Sequence, residues 1–265
     1  MSKFQIIISA FLISLFVSCT QNESPTFEWS FSDKIELIYS YKQSSYAKQS
    51  QNVSDIEKEN EFLMEGDLAL MVNKKGNADL ELRNIKSSMW LPGSVDTMVN
   101  RAENNIIAKG LQSNGKAEDP QQIGSEIFEF FFTLPDTAIK VGESISRVTF
   151  FPFNTPSGVF QVDGVKQVTL KEIKEIDGKN IAIIESSIYA NHLEIPPSMR
   201  KEYECTVTGS TLFYFDLDKQ YFTYGIIDLN VKLTNHLFTE TEQITTTTDS
   251  KISYELALTN VVNKE

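Results

Sequence analysis

The chain has 265 residues, 41% of them hydrophobic, with 36 acidic against 24 basic side chains and a formal net charge of -12. That length supports a core burying about 70% of the surface an unfolded chain exposes, in one large domain or two small ones. The acidity repels phosphate backbones and no Lys/Arg-rich stripe interrupts it, so nucleic acid is excluded as a partner.

At the amino end Lys3 precedes an almost unbroken apolar run from Ile6 to Val17. This is the layout of a secretory signal peptide, and it is too short for a membrane span. Residues Phe16, Val17, Ser18 and Cys19 resemble the bacterial lipobox, with Phe16 standing where Leu is usual. The resemblance implies that Cys19 is lipidated and becomes the new amino terminus, the alternative being an ordinary signal peptide with an incidental cysteine. Residues 1–18 are then signal, 19–26 a polar tether and 27–265 a single folded body. Acyl chains anchor such a protein because each buried methylene contributes about 0.8 kcal/mol. No acidic cluster follows Cys19, whereas in lipoproteins of Bacteroidota such a cluster often accompanies surface display. The expected location is therefore the cell envelope, on the outer membrane and facing the periplasm.

Period two dominates the body. "IELIYSY" puts Ile35, Leu37, Tyr39 and Tyr41 on one face; "LALMV" does so for Leu68, Leu70 and Val72, and "ADLELRNI" for Ala78, Leu80 and Leu82. The intervening "NKKGN" suits a hairpin loop. Later, "VKQVTLKEIKEI" and "KNIAIIESSIYANHL" flank Asp177-Gly178, a pair that tolerates the positive φ angles of a tight turn. Ile227, Leu229, Val231 and Leu233 alternate with Asp228, Asn230 and Lys232, and Ile252, Tyr254, Leu256 and Leu258 share a face after a run of threonines that favours strand. The expected fold is mainly β, an antiparallel meander forming a curved sheet or half-barrel packed on one amphipathic helix.

That helix is expected at about 120–132. Asp119 suits the N-cap, Pro120 the first helical position, and Ile123, Ile127, Phe130 and Phe131 recur at helical spacing before Leu134-Pro135 ends it. The richness of "IFEFFFT" in strand-favouring residues leaves a strand at 127–133 as the competing reading. Phe128, Phe130, Phe131 and Phe132 either pack helix on sheet, the usual fate of such a stripe, or form the wall of a ligand cavity.

"FFFTLPDTAIKVGES", "LKEIKEIDGKNIAIIE" and "GSTLFYFDLDKQYFTYG" together resemble a set of uncharacterised envelope lipoproteins of Bacteroidota, in order of elements over roughly residues 27 to 258. The shared features are a Leu-Pro-Asp turn, a Lys-x-Gly lead-in to a strand, with Ile139 where the family has Val, and an Asp-Gly hairpin. Glu143 and Ile145 depart from the Asp and Trp usual there. The resemblance implies a periplasm-facing β protein and no established activity. Asp96-Thr97-Met98 and Asp136-Thr137-Ala138 also resemble the short acceptor of periplasmic O-glycosylation, at Thr97 and Thr137.

Catalytic chemistry leaves little trace. His192 and His236 sit at no metal spacing, and with Cys19 lipidated, Cys205 has no disulfide partner and reads as a small buried hydrophobe. Asp216 and Asp218 in "FDLDKQ" lack the Gly and terminal Glu of a calcium loop and read as a turn flanked by solvated carboxylates. No nucleophile elbow or phosphate loop occurs. No cofactor, metal or catalytic residue is therefore expected. Three functions remain: a binding module for an apolar ligand or lipid, an interaction protein docking to another envelope component, and a hydrolase without a recognisable motif. An apolar cavity of several hundred cubic ångströms would mark the first.

Overall fold

The computed structural model describes residues 24–31, 35–90, 98–102, 104–120, 126–155, 158–194, 202–239 and 242–263. The expected signal peptide, Cys19, Thr97 and residues 121–125 of the expected helix lie outside the described residues. The strands are β1 Ile35–Gln51, β2 Ser54–Val72, β3 Ala78–Trp90, β4 Met98–Ala102 and β5 Asn105–Leu111, then β6 Ser144–Thr155, β7 Gly158–Ile176, β8 Lys179–Glu194, β9 Tyr203–Asp216, β10 Tyr221–Phe238 and β11 Gln243–Asn263, with one helix, α1 Glu126–Phe131, between β5 and β6.

These strands form one curved, open antiparallel sheet in the order β4-β3-β2-β1-β11-β10-β9-β8-β7-β6, with β5 pairing the other end of β3. The chain runs as two meanders joined where the first strand pairs the last along its whole length. Local turn chemistry sets the hairpins. Asp177 and Gly178 adopt φ of 51° and 73° between the facing residues Ile176 and Lys179, a two-residue turn whose twist matches its strands. At the β2–β3 turn the Asn73 carbonyl accepts the Gly76 N–H at 3.1 Å and its side chain accepts the Lys75 N–H at 2.9 Å.

The alternation puts apolar side chains on one face. Leu37, Tyr39 and Tyr41 of β1, Leu68 and Leu70 of β2, Ala78, Leu80 and Leu82 of β3, and Ile227, Leu229 and Val231 of β10 are all buried there. Phe27, Trp29 and α1 pack onto this face, with the Trp29 ring edge-on to Phe132 at 5.1 Å and to Phe222 at 5.3 Å. Neighbouring strands approach closely at strand glycines: a Cβ on Gly164 would lie 2.2 Å from the Tyr189 carbonyl oxygen, and one on Gly209 would lie 2.3 Å from that of Asp228. Only hydrogen permits these approaches.

The helix differs from its expectation. Described residues 126–131 are helical, little more than one turn, so a long amphipathic helix over 120–132 is not what the structure describes, and the competing strand at 127–133 does not form. Spacing of three and four explains the choice of helix, because it brings Phe128, Phe131 and Phe132 together on the core side, whereas a strand would turn Phe131 away from the other two. A helix this short does not persist alone. Tertiary contacts hold it.

Candidate functional site

Phe128, Phe131 and Phe132 are at most 3% exposed, packed among Trp29, Tyr39, Tyr41, Phe222 and Tyr254. Phe130 is half-buried with its ring edge-on to Phe151 at 4.8 Å. None of the four lines the grooves described below. Thr137 is exposed, beside Asp136, whose carboxylate meets Lys116 at 3.6 Å.

Under the helix lies a group that the sequence reading passed over. Lys166 of β7 is 2% exposed, and its Nζ donates to the Glu129 carbonyl at 3.0 Å and to the Thr133 hydroxyl at 3.1 Å. The Thr133 hydroxyl donates to the same carbonyl. Arg147 of β6 donates to the Leu134 carbonyl at 2.5 Å and lies 3.9 Å from the Glu129 carboxylate. Lys166 thus satisfies a carbonyl of the last helical turn, which has no partner within the helix, and Arg147 one in the segment that follows. Burial pushes the Lys166 ammonium down to about 7, against the attraction of Glu129 and with the repulsion of Arg147. Lys166 shares the parity of buried Val168 and Leu170, the one signal of its position in the sequence. Its geometry is that of a brace.

The expectation for Asp216 needs correction. Rather than a solvated carboxylate, it is 0% exposed, and its Oδ1 accepts the N–H groups of Asp218 at 3.0 Å and Lys219 at 2.8 Å. This side chain folds the β9–β10 turn from within, as Asp does in turns. Cys205 is buried, and burial pushes its thiol up to about 11, far from the thiolate that reacts. His192 sits at an exposed position 3.2 Å from Glu194, and His236 Nδ1 lies 3.0 Å from the Thr245 hydroxyl. Among the described residues no cluster of three His, Cys, Asp or Glu side chains is placed to hold a metal.

The face opposite the core carries a different pattern. Following the register from β3 to β6, one row of facing residues reads Ser88, Leu63, Ser44, Ser253, Asp228, Ser210, Ser187, Gln167 and Ser146. Two residues along each strand, the flanking rows carry longer side chains: Lys86, Glu65, Lys42 and Glu255 on one side, Trp90, Glu61, Tyr46, Lys251 and Asn230 on the other. Short side chains between long ones make a trough perpendicular to the strands. Where β3, β2, β1, β11 and β10 meet, it opens as a groove of about 770 Å³ lined by Lys42, Ser44, Tyr46, Glu61, Trp90 and Ser253 among others. Asp228 links it to a second hollow of about 670 Å³ that continues to β6 past Ser210, Ser187 and Gln167. Partial desolvation and a hydrogen bond with Glu59 raise the Tyr46 pKa above its ordinary value. The arrangement offers hydroxyl, amide and carboxylate partners beside two aromatic rings.

No family model matches the chain, and no curated protein matches it. Among solved structures, a DUF1329 family protein from Desulfovibrio piger aligns at 11% identity over 88% of this chain and 86% of that one, with a TM-score of 0.12. A structure of botulinum neurotoxin type C aligns at 8% identity over 86% of this chain and 78% of that one, with a TM-score of 0.15. Likenesses this weak assign neither fold nor activity.

Proposed function

We propose that this protein is a non-catalytic binding module, held on the membrane by lipid on Cys19 and facing the periplasm, whose ligand lies in the groove on the polar face of the sheet. The observation that carries the reading is the contrast between the two faces. The core face is filled by packed aromatic rings, while the opposite face keeps a groove of about 770 Å³ walled by Trp90 and Tyr46. The ligand is therefore polar, in place of the apolar one that the phenylalanine stripe suggested. Membrane placement rests on the signal-like run and the cysteine that follows it.

Native mass spectrometry of the full chain extracted in detergent tests both halves. The expected spectrum carries an acyl mass that Cys19→Ala removes, and a bound small molecule that Ser253→Trp, which fills the groove floor, displaces. An unacylated chain rejects the anchor, and a ligand indifferent to Ser253→Trp rejects the groove. A second reading, docking to an envelope protein, is favoured by a row of facing apolar residues near one sheet edge: Val148 is 80% exposed, Val165 48% and Tyr189 54%. In that case the bound mass is a protein.

A further inference from the structure

We infer that the groove takes a neutral, linear oligosaccharide laid across the strands, with its ring faces on Trp90 and Tyr46 and its hydroxyl groups on Ser44, Ser253, Asp228 and Asn230. This rests on the groove reading above and names its ligand class.

Shape comes first. The groove crosses five neighbouring strands, β3, β2, β1, β11 and β10, a span of about 19 Å at strand spacing. Its walls stand four residues apart along each strand, about 13 Å between backbones, with long side chains narrowing the gap. An extended chain fits such a channel better than a compact molecule. Trp90 and Tyr46 both face Glu61 from opposite sides, which puts them two strands apart, about 9.5 Å. That separation suits two rings of one chain.

Charge and polarity then select among chains. Lys42 sits between Glu65 and Glu255, and Lys86 faces Glu65 as well; on the other wall Lys251 stands between Tyr46 and Asn230, with Glu61 beyond Tyr46, so carboxylates offset the three lysines and leave no cationic field for a polyanion. A lipid tail needs a continuous apolar lining, whereas on this floor Leu63 stands alone among Ser88, Ser44, Ser253 and Asp228. A peptide recognised through its backbone needs a free strand edge, whereas the groove lies on the face, where the backbone groups of all five strands are paired. A sugar chain needs what is present: short groups that both donate and accept, as serine hydroxyls do, and flat aromatic faces for its apolar C–H sides. Trp90 is 40% exposed on the wall, and aromatic faces of this kind bind without losing much side-chain freedom.

The two tryptophans make the test direct, since Trp29 is 2% exposed in the core and Trp90 lies at the groove. The full chain in detergent is applied to an array of neutral linear oligosaccharides of glucose, mannose, galactose and N-acetylglucosamine, and hits are titrated by tryptophan fluorescence. Binding of at least one chain longer than a disaccharide is expected, with a blue shift in emission that Trp90→Ala abolishes. Affinity should fall about tenfold or more in Trp90→Ala and in Ser253→Lys, and stay unchanged in Val141→Ser, an exposed position outside the groove, with circular dichroism showing each variant folded. A blank array overturns the sugar assignment, and leaves the groove itself standing if the mass spectrum still holds a ligand that Ser253→Trp displaces. Sugar binding unaffected by both Trp90→Ala and Ser253→Lys overturns the placement in the groove.

Discussion

Lys166 carries its ammonium into the core face, beside Glu129, Thr133 and Arg147, and the consequence is a pH dependence with a defined sign. Its pKa falls from 10.5 in the unfolded chain to about 7 in the fold, so between those values the unfolded state holds more protons and stability rises with pH. The slope reaches at most about 1.4 kcal/mol per pH unit. Cys205, Tyr39, Tyr41 and Tyr254 oppose it at higher pH, because burial raises their pKa values and their unfolded forms ionise first. Urea unfolding of the wild type and Lys166→Met from about pH 7 to 9 separates the two effects. The wild type is expected to gain on the variant as pH rises; a constant difference would show that Lys166 does not titrate in that window. The sequence hinted at this residue only by parity with Val168 and Leu170. Lysine in a strand is ordinarily a solvent-facing residue, and the helix end that it braces is 33 residues away in the chain.

Among the elements, the hairpins were legible because their chemistry is local: Asn73 and Asp177-Gly178 act within a few residues of themselves. The helix was legible in its place but not in its extent, because a single turn of phenylalanines satisfies helical and strand preferences alike, and contacts with Trp29, Tyr41 and Tyr254 hold it. Asp216 shows the same limit: its turn was readable, but its complete burial was not. Close strand approach gives a prediction at this scale. Gly164→Ala would drive its Cβ into the Tyr189 carbonyl and the Ala190 backbone at 2.2 and 2.3 Å. The urea midpoint should fall by the equivalent of about 1–3 kcal/mol with an unchanged slope. A variant as stable as the wild type would mean that β7 and β8 separate at that point without cost.

At the scale of the molecule, pairing of the first strand with the last puts β11 in the interior of the sheet with β1 and β10 beside it, and leaves β4, β5 and β6 at its edges. Amide hydrogen exchange should protect β1, β11 and β10 longest and release the edge strands first, as local opening follows the number of paired neighbours. Equal protection at centre and edge would contradict an open sheet in this order. The sequence by itself determined most of the strands, though not β4, β5 or β6, together with the core faces of those strands and the signal-like amino end, since period two, turn residues and an apolar run are properties of neighbours along the chain. Only the tertiary structure decided the groove. Serines at 44, 88, 146, 187, 210 and 253 form one row because of strand register, a long-range quantity that no local pattern encodes.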